Sequence, residues 1–557
     1  MDSVLEAWQT LYSLKLREMV PCPPGEAPAL ICSNNTRNGE LLFPKEIAKS
    51  FLRATEQKEG AVVALNKSLD GCGYPEHFFS EFTLNQKQHL FIRLNRSFVF
   101  KTMICQVISS KDNNVQSDES HCITLVPHVL CNGADITHIS VSESRSLLTV
   151  GLLRNVLKSI GKSVDVYLSD LPFSQLPSSV RNLFSSFFST KQKRGVHRDI
   201  TAADFITSLQ PLTDPPIPHP FTNPTSTVHS ILQIDVKSFA IDQKLIGKGG
   251  YEKNLNSVQV TTVSGQLTPA ASLAHDICTR CSKDHMIIHV AQQQRSYQAQ
   301  QAMVLVDIFN SKSKSSMQQQ HIALTSAVDV LNCPGSTVNY SLSELLRIRQ
   351  EQMTSAFTVK YSDTLKGDQL QLLVNRMTEA VIKFELLSQD PTTYVKIDAP
   401  EVSVSCDDDV RFDGAFVLYN YARVAALLNR HRLASQHGVY PLLPSVETVD
   451  FSLLKEEEEW QLLFHYVLQY PLLLKEAAKI AKKGVGVHIT LGLKKICQFL
   501  TRFSHAFSSY YSRTKVLMPP EPHLLPLIHA RLYLLMAIKQ VLHNGLALLA
   551  IEPFEQM

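Results

Sequence analysis

No apolar run in this chain approaches 18 residues free of charge, so no membrane-spanning helix is expected. The opening residues, Met1-Asp-Ser-Val-Leu-Glu-Ala-Trp8, lack the basic and apolar regions of a secretory signal, and no export is expected. The 11 cysteines are odd in number and scattered, without the paired spacing of a disulfide framework. Reduced thiols and a cytoplasmic location are expected from that pattern. Internal repeats are absent. A strong charge of either sign is missing too: 54 Lys and Arg face 51 Asp and Glu, for a net charge of +3. A protein that coats nucleic acid along its whole surface would be more basic, so any nucleic-acid site must be a local patch.

What remains is 44% apolar and 19% charged residues over 557 positions, the composition of a globular chain of three or four domains. Residues 1 to about 112 mix helix and strand signals. Phe43-Pro-Lys-Glu-Ile-Ala predicts a helix opened by proline at its first turn, and His89 to Asn95 predicts a strand. The polar run from Lys111 to Ser120 predicts a linker. Residues 120 to about 345 alternate strand and helix signals, as in a parallel α/β layer structure. The strands are Ile123–Val126, Val164–Leu168 and Met286–Val290. Helices are expected over Leu147–Ile160 and through Phe309. Polar or proline-rich loops are expected at Lys191–Arg198, Pro211–Pro224, Ser311–Gln320 and Pro400–Asp409. From about 346 onward helical periodicity dominates.

The richest segment begins at Phe412. At about 100° per residue, Phe416, Tyr419, Arg423 and Arg430 fall within roughly 60° of one another. Val417, Tyr421, Val424 and Leu428 form a more apolar stripe beside them. Rings for stacking next to cations for phosphates suit single-stranded RNA. A packed core with solvated arginines is the other reading of the same stripe. The basic excess lies in this part of the chain. Residues 411–557 hold 16 Lys and Arg against 11 Asp and Glu, an excess of five. Lys482, Lys483, Lys494, Lys495, Arg502, Arg513, Lys515 and Arg531 contribute to it. The acidic run Glu456–Glu459 is expected to mark a face turned away from RNA, or a solvated helix. The run Lys191–Arg198 reads either as an RNA clamp or as a solvated loop.

Two other motifs invite a chemical reading. His275, Cys278, Cys281 and His285 form a Cys-x-x-Cys between histidines. The run is helical in pattern and lacks a second cysteine pair, so a plain helix is expected and no metal. Leu245-Ile-Gly-Lys-Gly-Gly250 lacks the ending and spacing of a phosphate loop, so no phosphate role is expected.

Taken together, these segments resemble arginyl-tRNA synthetases, a class I family, over most of the length. Phe416-Val-Leu-Tyr419-Asn-Tyr421-Ala-Arg423-Val resembles that family's Tyr-Val-Gln-Tyr-Ala-His-Ala-Arg-Ile helix. His529-Ala-Arg-Leu532, Val541-Leu-His-Asn-Gly545-Leu and Pro553-Phe-Glu-Gln-Met557 resemble its closing helix and terminus. This is the DALR anticodon-binding domain. The resemblance implies a multidomain α/β plus all-α fold. It comprises a small α+β additional domain over 1–112, a degenerate Rossmann-like α/β domain over 120–345, a helical stem over 346–409 and a DALR helical bundle over 410–557. It also implies that Phe416, Tyr419 and Met557 sit where the family meets anticodon bases. Phe416 replaces a tyrosine and loses its hydroxyl. Arg423 matches a family arginine that either contacts RNA or braces the bundle.

The resemblance is broken where the family carries out chemistry. Its His-Ile-Gly-His is replaced by Val141-Ser-Glu-Ser144, and its Gly-Ala-Asp-Gln-x-x-His by Ala291-Gln-Gln-Gln-Arg-Ser-Tyr297. Its lysine-bearing loop is replaced by Asn332-Cys-Pro-Gly-Ser-Thr-Val338. Each such group is worth about 10²–10³ in rate, so no aminoacylation, no catalytic residue and no cofactor are expected. The resemblance extends to non-catalytic animal proteins built on the DALR domain. It implies binding of arginine tRNAs on behalf of a partner, a methyltransferase subunit that makes 3-methylcytidine. A scaffold without RNA binding and an active ligase are the alternatives.

Overall fold

The structure is a computed structural model. It describes residues 31–32, 36, 40–43, 79–84, 90–109, 118–128, 139–167, 176–185, 187–188, 200–209, 231–243, 251–262, 264–281, 285–313, 317–324, 328–333, 336–338, 340–361, 367–398, 412–479, 481–482 and 489–555. The helix expected from Pro44 onward lies outside the described residues. So do most of the linker after Lys111, the loops at 191–198, 211–224 and 400–409, the glycine-rich turn at 245–250, Lys483 and Met557.

The chain opens with an antiparallel sheet of β1 (Ile31–Cys32), β2 (Leu41–Phe43), β3 (Phe79–Leu84) and β4 (Leu90–Leu94), in the order β1-β2-β4-β3. Phe43 therefore ends a strand rather than starting a helix. The strand expected near 89–95 is β4. Helix α1 (Arg96–Ser109) follows at once and buries Phe100, Met103, Ile104 and Val107.

The expected parallel layer is a sheet of β5 (Asp118–His128), β6 (Lys162–Val166), β7 (Met286–Gln292) and β8 (Gln318–Leu324). Its order is β8-β7-β5-β6, with every neighbouring pair parallel. Helix α2 (Val141–Ser159) covers one face. It starts six residues before the expected Leu147, because Ser140 and Glu143 form a capping box that carries the helix back to Val141. Helices α3 (Pro269–Arg280) and α4 (Ser296–Ser313) cover the other face, with Ile277, Ile287, Met303 and Val306 in the second apolar core. A small sheet of β9 (Val328–Cys333), β10 (Ser336–Val338) and β11 (Val395–Asp398) stands where the lysine-bearing loop was expected.

Two stem helices, α5 (Leu342–Tyr361) and α6 (Asp368–Leu387), lead to the terminal bundle. Its long members are α7 (Asp413–Gln436), α8 (Lys494–Arg513) and α9 (Leu525–Leu548). One apolar core runs without a break from α1 through α2 and α6 into α7, α8 and α9. Helix α9 is long and apolar enough to cross a membrane, which the search for uncharged runs did not anticipate. Its apolar window is 61% buried within the bundle, and Arg531 on it is paired, so it is a core helix here.

Buried polar side chains hold the parts in register by donating to backbone carbonyls at helix ends. Arg145 on α2 donates to the carbonyls of Leu386 (3.1 Å), Asp390 (2.7 Å) and Thr393 (2.9 Å) at the end of α6. Asn155 donates to Leu548 O at 3.0 Å, and Lys383 on α6 donates to Ala550 O at 2.7 Å, both at the end of α9. Such groups are the carbonyls that a helix leaves unsatisfied. Ala550 adopts φ +52°, the left-handed position that closes a helix, and this brings its carbonyl to Lys383.

Helix α7 crosses α6 at near backbone contact. A Cβ on Gly414 would lie 2.4 Å from Ala380 O, so only glycine fits. At Gly545 of α9 the corresponding neighbour is the Leu500 side chain at 2.6 Å, which can rotate away. Gly414→Ala should therefore cost about 1–3 kcal/mol, and Gly545→Ala less. Urea unfolding of the two variants checks the order, and an unchanged midpoint for Gly414→Ala would refute the crossing. Burial lowers the Lys383 ammonium from its usual 10.5 to about 8. Between those values the unfolded chain binds more protons at this residue, so its contribution to stability rises with pH. The stability of the native chain relative to Lys383→Met should thus grow between pH 8 and 10, as read by denaturant melts.

Candidate nucleic-acid interface

Helix α7 carries two faces, as its pattern predicts. Val417, Tyr421 and Val424 are buried in the bundle core. Phe416, Tyr419 and Arg423 are half-buried and face α8. There the Phe416 ring stacks on His505, with centroids 4.5 Å apart and planes at 32°. The Arg423 guanidinium lies between two rings, 4.5 Å from the centroid of Tyr419 and 4.7 Å from that of Tyr511. Its Nη1 also reaches Ser508 Oγ at 3.5 Å. A cation held between two π faces gains at each of them, typically about 0.5–2 kcal/mol per ring. Arg423 thus braces α7 against α8 while keeping both rings at the surface.

Helix α8 has no carboxylate in its 20 residues. Its buried side is Ile496, Leu500, Phe503, Phe507 and Tyr510. Its outer side presents Arg502, His505, Ser508, Ser509 and Tyr511. The doublet Tyr510-Tyr511 is divided, one ring in the core and the next 37% exposed. His505 and Tyr511 are the rings that sequence reasoning missed. The signal for them was the acid-free, strongly two-sided run Lys494–Arg513.

The other expected residues are dispersed. Arg430 is exposed two turns beyond Arg423 on the same face. Arg502 is exposed and forms no ion pair among the described residues. Arg513 is exposed, and it pairs with Glu458 and donates to Ser509 Oγ at 2.8 Å. Lys515 is exposed, and its carbonyl accepts from Arg531 at 3.3 Å. Lys482 belongs to a two-residue strand paired with Ile489–Thr490, away from the ring cluster in the chain's connectivity.

The acidic run is not a simple solvated helix. Glu459 is fully buried and accepts from Arg531 Nε at 2.7 Å and from Tyr510 Oη at 3.2 Å. Burial raises its carboxyl group above the ordinary range. Glu457 receives Arg96 of α1 at 2.7 Å, and Arg96 also lies 5.1 Å over the Trp460 ring. The run is a set of three joints, one to the bundle core, one to the first domain and one to α8. Arg531 is accordingly a structural partner and not part of a basic surface.

The middle domain offers a second, smaller hollow at the carboxyl ends of its strands. It encloses about 250 Å³ and is lined by His128, Thr268, Arg295 and Gln298, among others. Val141-Ser-Glu-Ser144 is the first turn of α2. The Glu143 carboxylate accepts from the Ser140 amide at 3.1 Å and from Arg295 at 3.0 Å. Behind the hollow, His128 Nε2 meets His289 Nδ1 at 2.9 Å, and His289 Nε2 meets Gln319 Oε1 at 3.0 Å. Gln319 donates in turn to Asp307 at 2.6 Å. Burial lowers His289 to about 4, so this chain is neutral at both imidazoles. Cys278 and Cys281 are core residues, and the Cys281 thiol points to Thr124. Among the described residues no group of three or more His, Cys, Asp or Glu converges as a metal site.

A parallel α/β layer, stem helices and a terminal bundle with a ring-and-cation surface define an arginyl-tRNA-synthetase-like fold. Residues 417–557 match the DALR anticodon binding domain. The chain is 30% identical over 327 residues to DALR anticodon-binding domain-containing protein 3 of Danio rerio, covering 58% of this chain and 56% of that one. It is 32% identical over 275 residues to the Mus musculus protein of the same name, covering 49% of each. The match thus spans about half the length of these curated relatives. A Malacoplasma penetrans arginine–tRNA ligase is 31% identical over 188 residues, 33% of this chain and 29% of that one. Among solved structures, Thermus thermophilus arginyl-tRNA synthetase superposes with a TM-score of 0.60 at 13% identity over the whole of both chains. The Plasmodium falciparum enzyme gives 0.55, also at 13%. These two likenesses establish the fold alone.

The joints in the acidic run make a direct test. Glu459→Ala leaves Arg531 buried and unpaired and should destabilise by about 3–5 kcal/mol, whereas Glu458→Ala at the surface should cost at most about 1 kcal/mol. Equal melting points for the two variants would contradict the burial described.

Proposed function

We propose that this chain is a non-catalytic tRNA-binding adaptor that grips the anticodon region of arginine tRNAs. The observation that carries the reading is the Tyr419–Arg423–Tyr511 stack. Within the segment matching the DALR domain, two helices hold a guanidinium between two partly exposed rings, and a tilted ring pair, Phe416 and His505, joins the same two helices. Unpaired bases stack on the outer faces of such rings, and Arg502, Arg430 and Lys515 are exposed cations of the same bundle, available to phosphates.

The state of the middle domain supports the absence of aminoacylation. The end of α2 that would receive an anion is occupied by Glu143 of the same chain, itself held by Ser140 and Arg295. The adjoining hollow of about 250 Å³ is below the ~300–1,000 Å³ usual for small-molecule sites. On this reading the chain presents a bound tRNA to a partner enzyme in the cytoplasm, a tRNA methyltransferase subunit that makes 3-methylcytidine. Similarity to proteins named for a DALR anticodon-binding domain supports the tRNA-binding part of that role.

The experiment is sequencing of the RNA that copurifies with the full chain, joined to binding measurements on variants. Arginine tRNAs should be enriched. Tyr511→Ala should weaken binding by about 1–3 kcal/mol, the value of one stacked base. Arg502→Gln should lower the slope of log K against log salt by about one unit. Equal, weak binding of all tRNAs, indifferent to both substitutions, would refute the proposal. ATP–pyrophosphate exchange with arginine should be undetectable.

A further inference from the structure

The side of α7 that faces away from Tyr419 and Arg423 is open. Between its C-terminal half and α9 runs a groove of about 1480 Å³. Ala425, Leu428, Leu443, Leu532 and Met536 line it. Its lip is apolar as well: Leu442 is 83% exposed and Leu433 40%, with Val439 54% exposed between them in the chain. Of the seven large apolar side chains exposed among the described residues, three fall within these ten positions. Polar groups punctuate the rim. Among the described residues Arg432 donates only to Asn429 of its own helix, at 3.2 and 2.8 Å. Lys539 pairs with Glu555 at 2.6 Å, which leaves Arg432 as the lining cation without an ion pair among the described residues. His431 is nine-tenths buried, and its Nε2 has no hydrogen-bond partner.

We propose that this groove is the docking site of an amphipathic helix from a protein partner, with aliphatic residues in the trough and a carboxylate on Arg432. Chemistry favours protein over RNA. The exposed apolar groups of the groove are aliphatic, Leu433 and Leu442, and its one tyrosine, Tyr421, is covered and tied through its hydroxyl to Glu555, which leaves His543 as the one exposed ring in the lining. Geometry favours a helix. Two long helices form the walls, and the lining of α7 from Tyr421 to Gln436 spans roughly 22 Å, the length of four helical turns. A third helix lays its i, i+3/i+4 and i+7 residues into such a trough. Charge favours an acidic segment, because Arg432 is the group left to neutralise. The inference rests on the reading that the other face of α7 holds RNA. A partner in the groove would then sit about one helix diameter, ~10 Å, from the bound anticodon loop without competing for it.

The test places the photo-crosslinker benzoylphenylalanine at position 442 of the full chain in cells, with position 452 as the exposed control. The adducts are identified by mass spectrometry. The expected adduct is a peptide with helical apolar spacing and acidic residues, from a protein that modifies RNA. An adduct with RNA, with a second copy of this chain, or one no stronger than at position 452 would overturn the proposal. In parallel, the double variant Leu433→Asp, Leu442→Asp should reduce recovery of that protein by about tenfold or more, roughly 1.4 kcal/mol. Its tRNA affinity and melting point should stay as in the native chain, and a variant that keeps the partner would also overturn the proposal. If the native chain fails to bind tRNA, the function proposed above fails, and the cross-link still reports on the groove.

Discussion

The bundle depends on how closely α7 lies against α6. With no Cβ at Gly414, the two backbones meet at Ala380, and α7 is set at a fixed depth and angle. That depth decides which of its faces is covered. Val417, Tyr421 and Val424 go inward, Phe416, Tyr419 and Arg423 turn to α8, and the third side looks toward the groove with α9. A shift of about two ångströms would carry Arg423 beyond the ~6 Å reach of one of its two rings, which now lie at 4.5 and 4.7 Å. The ring cluster is therefore a product of backbone packing within about two and a half turns of it.

Helix α6 is the common member of most joints. It receives Arg145 from the α/β domain at its end, supplies Lys383 to the end of α9, and pairs Glu385 with Arg349 of α5 at 2.6 Å. Arg96 adds the first domain by binding Glu457 and covering Trp460. These joints are charged or polar groups taken out of water, and each is satisfied by more than one partner. Buried pairs of this kind specify geometry more than they add stability, because desolvation offsets most of the attraction. They suit a chain that must hold an RNA surface at a set position relative to a large, otherwise apolar core.

The double stripe of α7 was legible in the sequence because helical periodicity reports faces directly. Three of the four parallel strands were legible because buried strands read as apolar runs between turn signals, while the fourth, Gln318–Leu324, opens on three glutamines that were expected as part of a polar loop. The start of α2 was not, since the capping box at Ser140 and Glu143 lies outside the apolar pattern. The acidic run was misread for a different reason. Its partners, Arg96, Arg513 and Arg531, lie 361, 55 and 72 residues away, and nothing local distinguishes a buried glutamate from a solvated one. The same limit hid His505 and Tyr511. Periodicity shows that α8 has an outer face but not that this face meets Phe416 and Arg423. Arg531 looked like basic surface for the converse reason, as its carboxylate partner comes from the acidic run itself.

The helix ends have one more implication. Arg145, Asn155 and Lys383 all bind carbonyl oxygens of the main chain, which every residue type supplies equally. The receiving positions, Leu386, Leu548 and Ala550, carry no information in their side chains for these bonds. Substitutions there leave the joints in place, while a change at any of the three donors removes one outright. These bonds thus place no demand on side-chain identity at the ends of α6 and α9, where Leu386 and Leu548 are constrained instead by burial in the core.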